Sequence, residues 1–161
     1  MIKSIRPLTV LIVFVLAALF FTACKTPPPE PPPLPPEKQT IIGPWGTEWH
    51  PYEKGVRIAR EQKKPVFISF VSEGCKWCRS MEKDTYGNKT VAEYLKKNFI
   101  LVLVDTREEK EIRKEYAVRG VPSFAFLEPS GAKSTVRLGY MGASEFLSVI
   151  KAYNGNRPKG V

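Results

Sequence analysis

The chain has 161 residues and a formal charge of +9, from 25 Lys and Arg against 16 Asp and Glu, and it carries three cysteines and one histidine. Its first 40 residues do not read as globular, so the fold is expected to be built from about 120 residues, enough for one ordinary core. Basic residues come in scattered pairs such as Lys63-Lys64 and Lys96-Lys97, interleaved with acids and with no long block. A solvated surface accounts for them, and anionic headgroups or acidic protein partners are the attractions such a balance allows.

Lys3 and Arg6 precede an uncharged apolar stretch from Leu8 to Phe21, followed by the small residues Thr22 and Ala23 before Cys24. This is the layout of a secretory signal peptide over 1–23, and the stretch is shorter than the roughly 20 residues a spanning helix needs. Nucleic acid is therefore not an expected partner. Phe21-Thr22-Ala23-Cys24 also resembles a bacterial lipobox, with phenylalanine in place of the usual leucine. That resemblance implies a lipid on Cys24; the alternative is a plain signal peptide that leaves an odd thiol in an oxidising compartment. Residues 27–36 read PPPEPPPLPP, a polyproline II former able to hold a domain about 30 Å from a membrane. A spacer is expected, with a proline-binding partner as the alternative. The expected organisation is a signal peptide at 1–23, a lipid anchor and Pro-rich linker at 24–40, and a globular domain at 41–161, facing the periplasm or exterior in a bacterial envelope.

Within the domain, Val56, Ile58 and Ala59 among Lys, Arg and Glu predict a short amphipathic helix from Tyr52 to Lys64, ended by Pro65. His50, with Trp45, Trp49 and Tyr52 around it, reads as an exposed or core-edge residue in a segment packed by its aromatics. Val66 to Val71 is apolar and rich in β-formers, as a strand buried on both faces would be. Ser72-Glu73-Gly74 is then a turn, and a helix follows to Tyr86. Gly87-Asn88 interrupts it, and Thr90 to Lys97 resumes with Val91, Tyr94 and Leu95 on one side. A second buried strand spans Phe99 to Val104, and a helix from Glu108 to Glu115 surrounds Ile112. Ser123 to Leu127 and Thr135 to Tyr140 predict a hairpin around Pro129-Ser130-Gly131, and Ala143 to Tyr153 a closing helix. A βαβ half followed by a ββα half predicts an α/β fold, with a central mixed β-sheet of four to five strands flanked by helices on both faces.

Cys75-Lys76-Trp77-Cys78 stands where the first buried strand passes into a helix. At such a junction unsatisfied amides and the helix dipole stabilise a thiolate on the first cysteine, which points to dithiol redox chemistry. Lys76 and Arg79 add positive charge. Zinc is a poor competitor, because two cysteines and His50 are too few for a closed four-ligand site. A structural disulfide and a binding module that keeps its cysteines without turnover stay open.

With this element order, Cys75-x-x-Cys78 and Gly120-Val121-Pro122, the chain from about Trp45 to Gly155 resembles the thioredoxin superfamily. It is most similar there to periplasmic thioredoxin-like proteins and to the C-terminal domain of DsbD-type thiol:disulfide interchange proteins. Lys64-Pro65-Val66, Cys78-Arg79-Ser80-Met81-Glu82 and Asn98-Phe99 carry that particular likeness. The resemblance implies a thioredoxin fold, with Cys75 as the exposed nucleophile and Cys78 as the resolving thiol. It makes Pro122 a cis-proline whose neighbour Val121 pairs with a bound substrate chain. Trp77 is expected to shield the site or contact the substrate, with a packing role as the alternative. No cofactor or metal is implied beyond the Cys75-Cys78 pair. The implied partners are protein disulfides and an upstream thiol donor of DsbD type, with membrane attachment through the lipid. The implied activity is thiol:disulfide exchange, as a reductant more than as an oxidase or isomerase. The chain departs from thioredoxin in three places: Gly74 replaces the aromatic residue before the first cysteine, Ser69 replaces the acidic residue six before it, and Lys76-Trp77 replaces the Gly-Pro inside the motif. Glu73 would serve proton transfer if it faced Cys78, and is otherwise a solvated turn carboxylate.

Overall fold

The computed structural model describes residues 38–156. The signal peptide, Cys24 and the proline run lie outside the described residues. Lys38 and Thr40, at the end of the expected linker, bond to the domain. The Lys38 ammonium sits 2.9 Å from Glu108 and 3.1 Å from Glu109, and Thr40 Oγ1 lies 3.0 Å from His50 Nδ1.

Six strands are present: β1 Ile41–Ile42, β2 Glu48–His50, β3 Val66–Val71, β4 Ile100–Asp105, β5 Ser123–Leu127 and β6 Arg137–Leu138. They form one sheet in the order β1-β2-β4-β3-β5-β6. β2, β4 and β3 run parallel, while β1, β5 and β6 pair antiparallel with their neighbours. The expectation of four to five strands is corrected to six. β1 and β2 are too short to show an alternating pattern, and they exist because Trp49 and His50 register against Leu101 and Val102. The last strand is correspondingly shorter than Thr135 to Tyr140.

The helices are α1 Tyr52–Gln62, α2 Lys76–Ser80, α3 Lys89–Asn98, α4 Lys110–Glu115 and α5 Ala143–Gly155. α1 stops at Lys63, which takes a left-handed φ of 52° ahead of Pro65. Asn88 caps α3, its side chain accepting the Thr90 and Val91 amides at 3.0 and 3.3 Å. α2 continues through a π-helical turn, Met81–Tyr86, where sequence reading expects ordinary helix. The Gly87 amide donates to the Glu82 carbonyl at 2.8 Å, and a Cβ on Gly87 would lie 2.2 Å from the Lys83 oxygen. Only glycine closes this wide turn.

The sheet is buried on both faces, which is why β3 and β4 read as unbroken apolar runs. Val66, Ile68 and Phe70 pack under Val56 and Ala59 of α1 and under Tyr116. Phe67 faces the other way, into Trp49, Tyr86, Phe99, Phe124, Phe126 and Phe146, whose ring centroids stand 5.5–6.5 Å from its own. Burying such a ring is worth about 1.5–3 kcal/mol, with further gain from edge-to-face contacts. This aromatic cluster holds α3, α5 and the π turn on one side of the sheet, and so fixes the base of the helix that carries the cysteines.

Candidate active site

β3 ends at Val71, and the turn to α2 uses Gly74 at φ +78°, a conformation that disfavours other residues. The turn closes with the Cys75 amide donating to the Ser72 carbonyl at 3.2 Å. Cys75 is therefore the N-cap of α2, with extended backbone, and its Sγ accepts the Cys78 N–H at 3.1 Å. A sulfur held against the first free amides of a helix is favoured as the thiolate. The two cysteines form a disulfide, Cα to Cα 5.3 Å. Cys78 is buried whereas Cys75 is partly exposed, so an incoming sulfur meets Cys75 first.

The Val121-Pro122 peptide is cis. The Pro122 carbonyl accepts the Gly139 N–H at 2.8 Å, which ties the end of β6 to the loop facing the disulfide. A Cβ on Gly120 would meet Leu138 at 3.1 Å, so Leu138 covers that loop closely. Trp77 is 59% exposed, and its ring lies 5.7 Å from that of Tyr140, itself 41% exposed. Leu138 thus packs against the loop that leads to Pro122, and Tyr140 against Trp77, which lies between the two cysteines in the chain. Sequence reading assigned Leu138 and Tyr140 to a strand and missed them; a non-local contact between the helix start and the β6 loop leaves no spacing signal.

Behind the disulfide is a cavity of about 390 Å³ lined by Cys78, Pro122, Trp49, Ser69, Tyr86 and Asp105, among others, with Ile41 and Ile42 of β1 at its mouth. Ser69 and Tyr86 are buried and share a hydrogen bond of 3.2 Å; burial pushes the Tyr86 hydroxyl well above its ordinary pKa. At the position where thioredoxin has its acid, this cavity wall is neutral. Glu73 lines the cavity, but its side chain is 84% exposed and its carboxylate pairs with Arg107 at 3.2 Å. It is a solvated turn carboxylate. Asp105 is the partly buried acid of the cavity, its Oδ1 accepting the Arg107 amide at 2.9 Å. Sequence reading treated it only as the end of a strand. His50 is buried on β2, and desolvation holds its imidazole below the usual pKa. Among the described residues no group of three or more His, Cys, Asp or Glu could hold a metal ion.

Residues 52–154 match the thioredoxin-like domain family. The chain belongs to that family. Its sequence is 33% identical over 105 residues to the thiol:disulfide interchange protein DsbD of Vibrio vulnificus, a match covering 62% of this chain and 18% of that protein. It is 31% identical over 91 residues to protein B0495.5 of Caenorhabditis elegans, covering 51% of this chain and 12% of that one. The chain thus spans less than a fifth of either relative. A thioredoxin from Thermus thermophilus superposes with a TM-score of 0.61 at 26% identity, covering 70% of this chain and 88% of that one. The match runs from α1 to α5, so β1, with Ile41 and Ile42 at the mouth of the cavity, and β2 both precede the residues matched to the family.

Proposed function

We propose that the protein is a thiol:disulfide oxidoreductase that reduces protein disulfides in a bacterial cell envelope. The observation that carries this reading is the Cys75–Cys78 disulfide at the start of α2, with Cys75 partly exposed and Cys78 buried. In the reduced protein the Cys75 thiolate attacks a substrate disulfide, forming a mixed disulfide and releasing one substrate thiolate. Cys78, once deprotonated, attacks Cys75 Sγ, the mixed disulfide breaks, and the second substrate thiol leaves. Two electrons pass to the substrate and the Cys75–Cys78 disulfide forms. Trp77 and the Val121-Pro122 loop are the proposed substrate contacts. A thiol donor of DsbD type returns the pair to the dithiol, and no further cofactor takes part. A lipid on Cys24, following a cleaved signal peptide, is the proposed anchor, with the proline run as spacer.

The test is trapping. A Cys78→Ser variant should accumulate mixed disulfides with envelope proteins, and a second Cys75→Ser change should abolish them. No adducts from an exposed, reactive Cys75 would favour a passive binding module. Direction follows from the potential of the pair in glutathione or dithiothreitol buffers: about −270 mV fits a reductant, and about −120 mV an oxidase or isomerase. Mass spectrometry of the mature N-terminus tests the anchor, since an unmodified Cys24 would refute it.

A further inference from the structure

The charges around α4 are segregated. Glu108 and Glu109 turn to Lys38, Glu115 pairs with Lys133, and Glu111, exposed on α4 itself, is not among the residues that line the depression. The cations lie elsewhere: Arg107, Lys110, Arg113, Lys114 and Arg119, all exposed, line one open depression that has no acidic side chain in its lining. Lys110, Lys114 and Arg119 make no ion pair among the described residues. Arg113 is held in place through Nε, which donates to the Val118 carbonyl at 3.4 Å.

Two connections lead from this depression toward the disulfide. Arg107 bonds Glu73, two residues before Cys75, and Arg119 leads through Gly120 and Val121 into Pro122, which lines the cavity with both cysteines. With Arg107 paired to Glu73, four like charges are left together; they repel one another, and their summed field attracts an anionic partner and speeds its encounter. A basic cluster on the side of the molecule that leads to Cys75 lets one partner engage it while presenting a disulfide to that cysteine.

We infer that this depression docks an acidic segment of the protein whose disulfide the Cys75–Cys78 pair reduces; the inference rests on the function proposed above. The acidic segment lies on the partner beside its cysteine. It raises the rate of encounter and orients the disulfide toward Cys75, while the chemistry stays with the two cysteines.

The experiment compares two disulfide-linked peptides that differ only in four Glu or four Gln beside the cysteine. Each is reduced by the full chain after dithiothreitol treatment and removal of the reagent. At about 20 mM salt the acidic peptide should react about tenfold faster, and at about 500 mM the two rates should converge. A K110E/K114E/R119E variant should lose or invert the preference while keeping its rate with the Gln peptide. Equal rates at low salt, or a preference that survives the triple change, would overturn the proposal. Were the triple variant misfolded by circular dichroism, the single Lys114→Gln change and the salt dependence of the unaltered protein would decide it. Vesicles with about one-third phosphatidylglycerol form the competing arm. Binding to them that the triple variant loses, with equal peptide rates, would make this a lipid surface and overturn the protein reading. If neither peptide is reduced, the oxidoreductase reading itself fails. Fluorescence anisotropy of the labelled Glu peptide then decides the surface: salt-sensitive binding lost in the triple variant supports it, and no binding overturns it.

Discussion

Ser69 on β3 and Tyr86 at the end of the π turn share a buried hydrogen bond, Oγ to Oη 3.2 Å, in the wall of the cavity that Cys78 lines. The pair fills with two neutral hydroxyls the place where thioredoxin has a carboxylate. Each hydroxyl satisfies the other away from water. Ser69→Ala would leave the Tyr86 hydroxyl buried and unpartnered, at a cost of about 1–3 kcal/mol. Adding Tyr86→Phe should recover part of that loss. Urea denaturation of the two single variants and the double variant measures the coupling, and additive losses would show that the hydrogen bond contributes nothing of its own.

His50 links stability to pH. Desolvation lowers its pKa below 6.5, opposed weakly by Glu48 and reinforced by Lys54. The unfolded chain therefore binds this proton at a higher pH than the folded one. Its contribution is complete above pH 6.5 and is lost as pH falls from there through the folded value. Denaturation midpoints should drop across that window, and His50→Gln should flatten the slope. An unchanged slope would mean that other groups govern the acid limb.

Gly55 on α1 sits where a Cβ would come 2.2 Å from Val102 Cγ2, and Val102 is wholly buried on β4. Alanine usually gains about 1 kcal/mol over glycine inside a helix. Here overpacking should win. Gly55→Ala is expected to destabilise by about 1–3 kcal/mol, seen as a lower thermal midpoint. A rise in the midpoint would show that α1 can lift off β4 at little cost.

Trp77 and Tyr140 present exposed rings on the same side of the disulfide. With the proposed substrate role, Trp77→Ala should slow reduction of a folded protein disulfide about three- to tenfold, equivalent to about 1 kcal/mol of lost contact. Reduction of a small aromatic disulfide reagent should change little. Equal slowing of both would point to an effect on the cysteines themselves. Tyr140→Ala should act in the same direction, because the two rings meet.

Much of this arrangement was legible in the chain. Val66–Val71 and Phe99–Val104 are unbroken apolar runs because their strands are buried on both faces, and a run of that length and composition announces such a strand. Gly87-Asn88 marked the break before α3, while the capping of that helix by the Asn88 side chain came from the structure. Illegible were the elements whose stability is borrowed. Glu48–His50 becomes a strand only against β4, and Ile41–Ile42 only against that strand. The role of Glu73 turned on where Arg107 lies, 34 residues along the chain.

The sequence by itself determined the chemistry: two cysteines at a strand-to-helix junction, where local backbone geometry alone places a sulfur against free amides, and a Gly-Val-Pro downstream. The tertiary structure decided what surrounds that chemistry. It set the hydroxyl pair in the cavity wall that Cys78 shares, Tyr140 beside Trp77, and five cations of the α4 region in one depression. The physical reason is range. Strand and helix periods and N-cap geometry act over a few residues, whereas cavity walls and charged surfaces are made by side chains distant in sequence, whose meeting depends on the packing of the whole sheet.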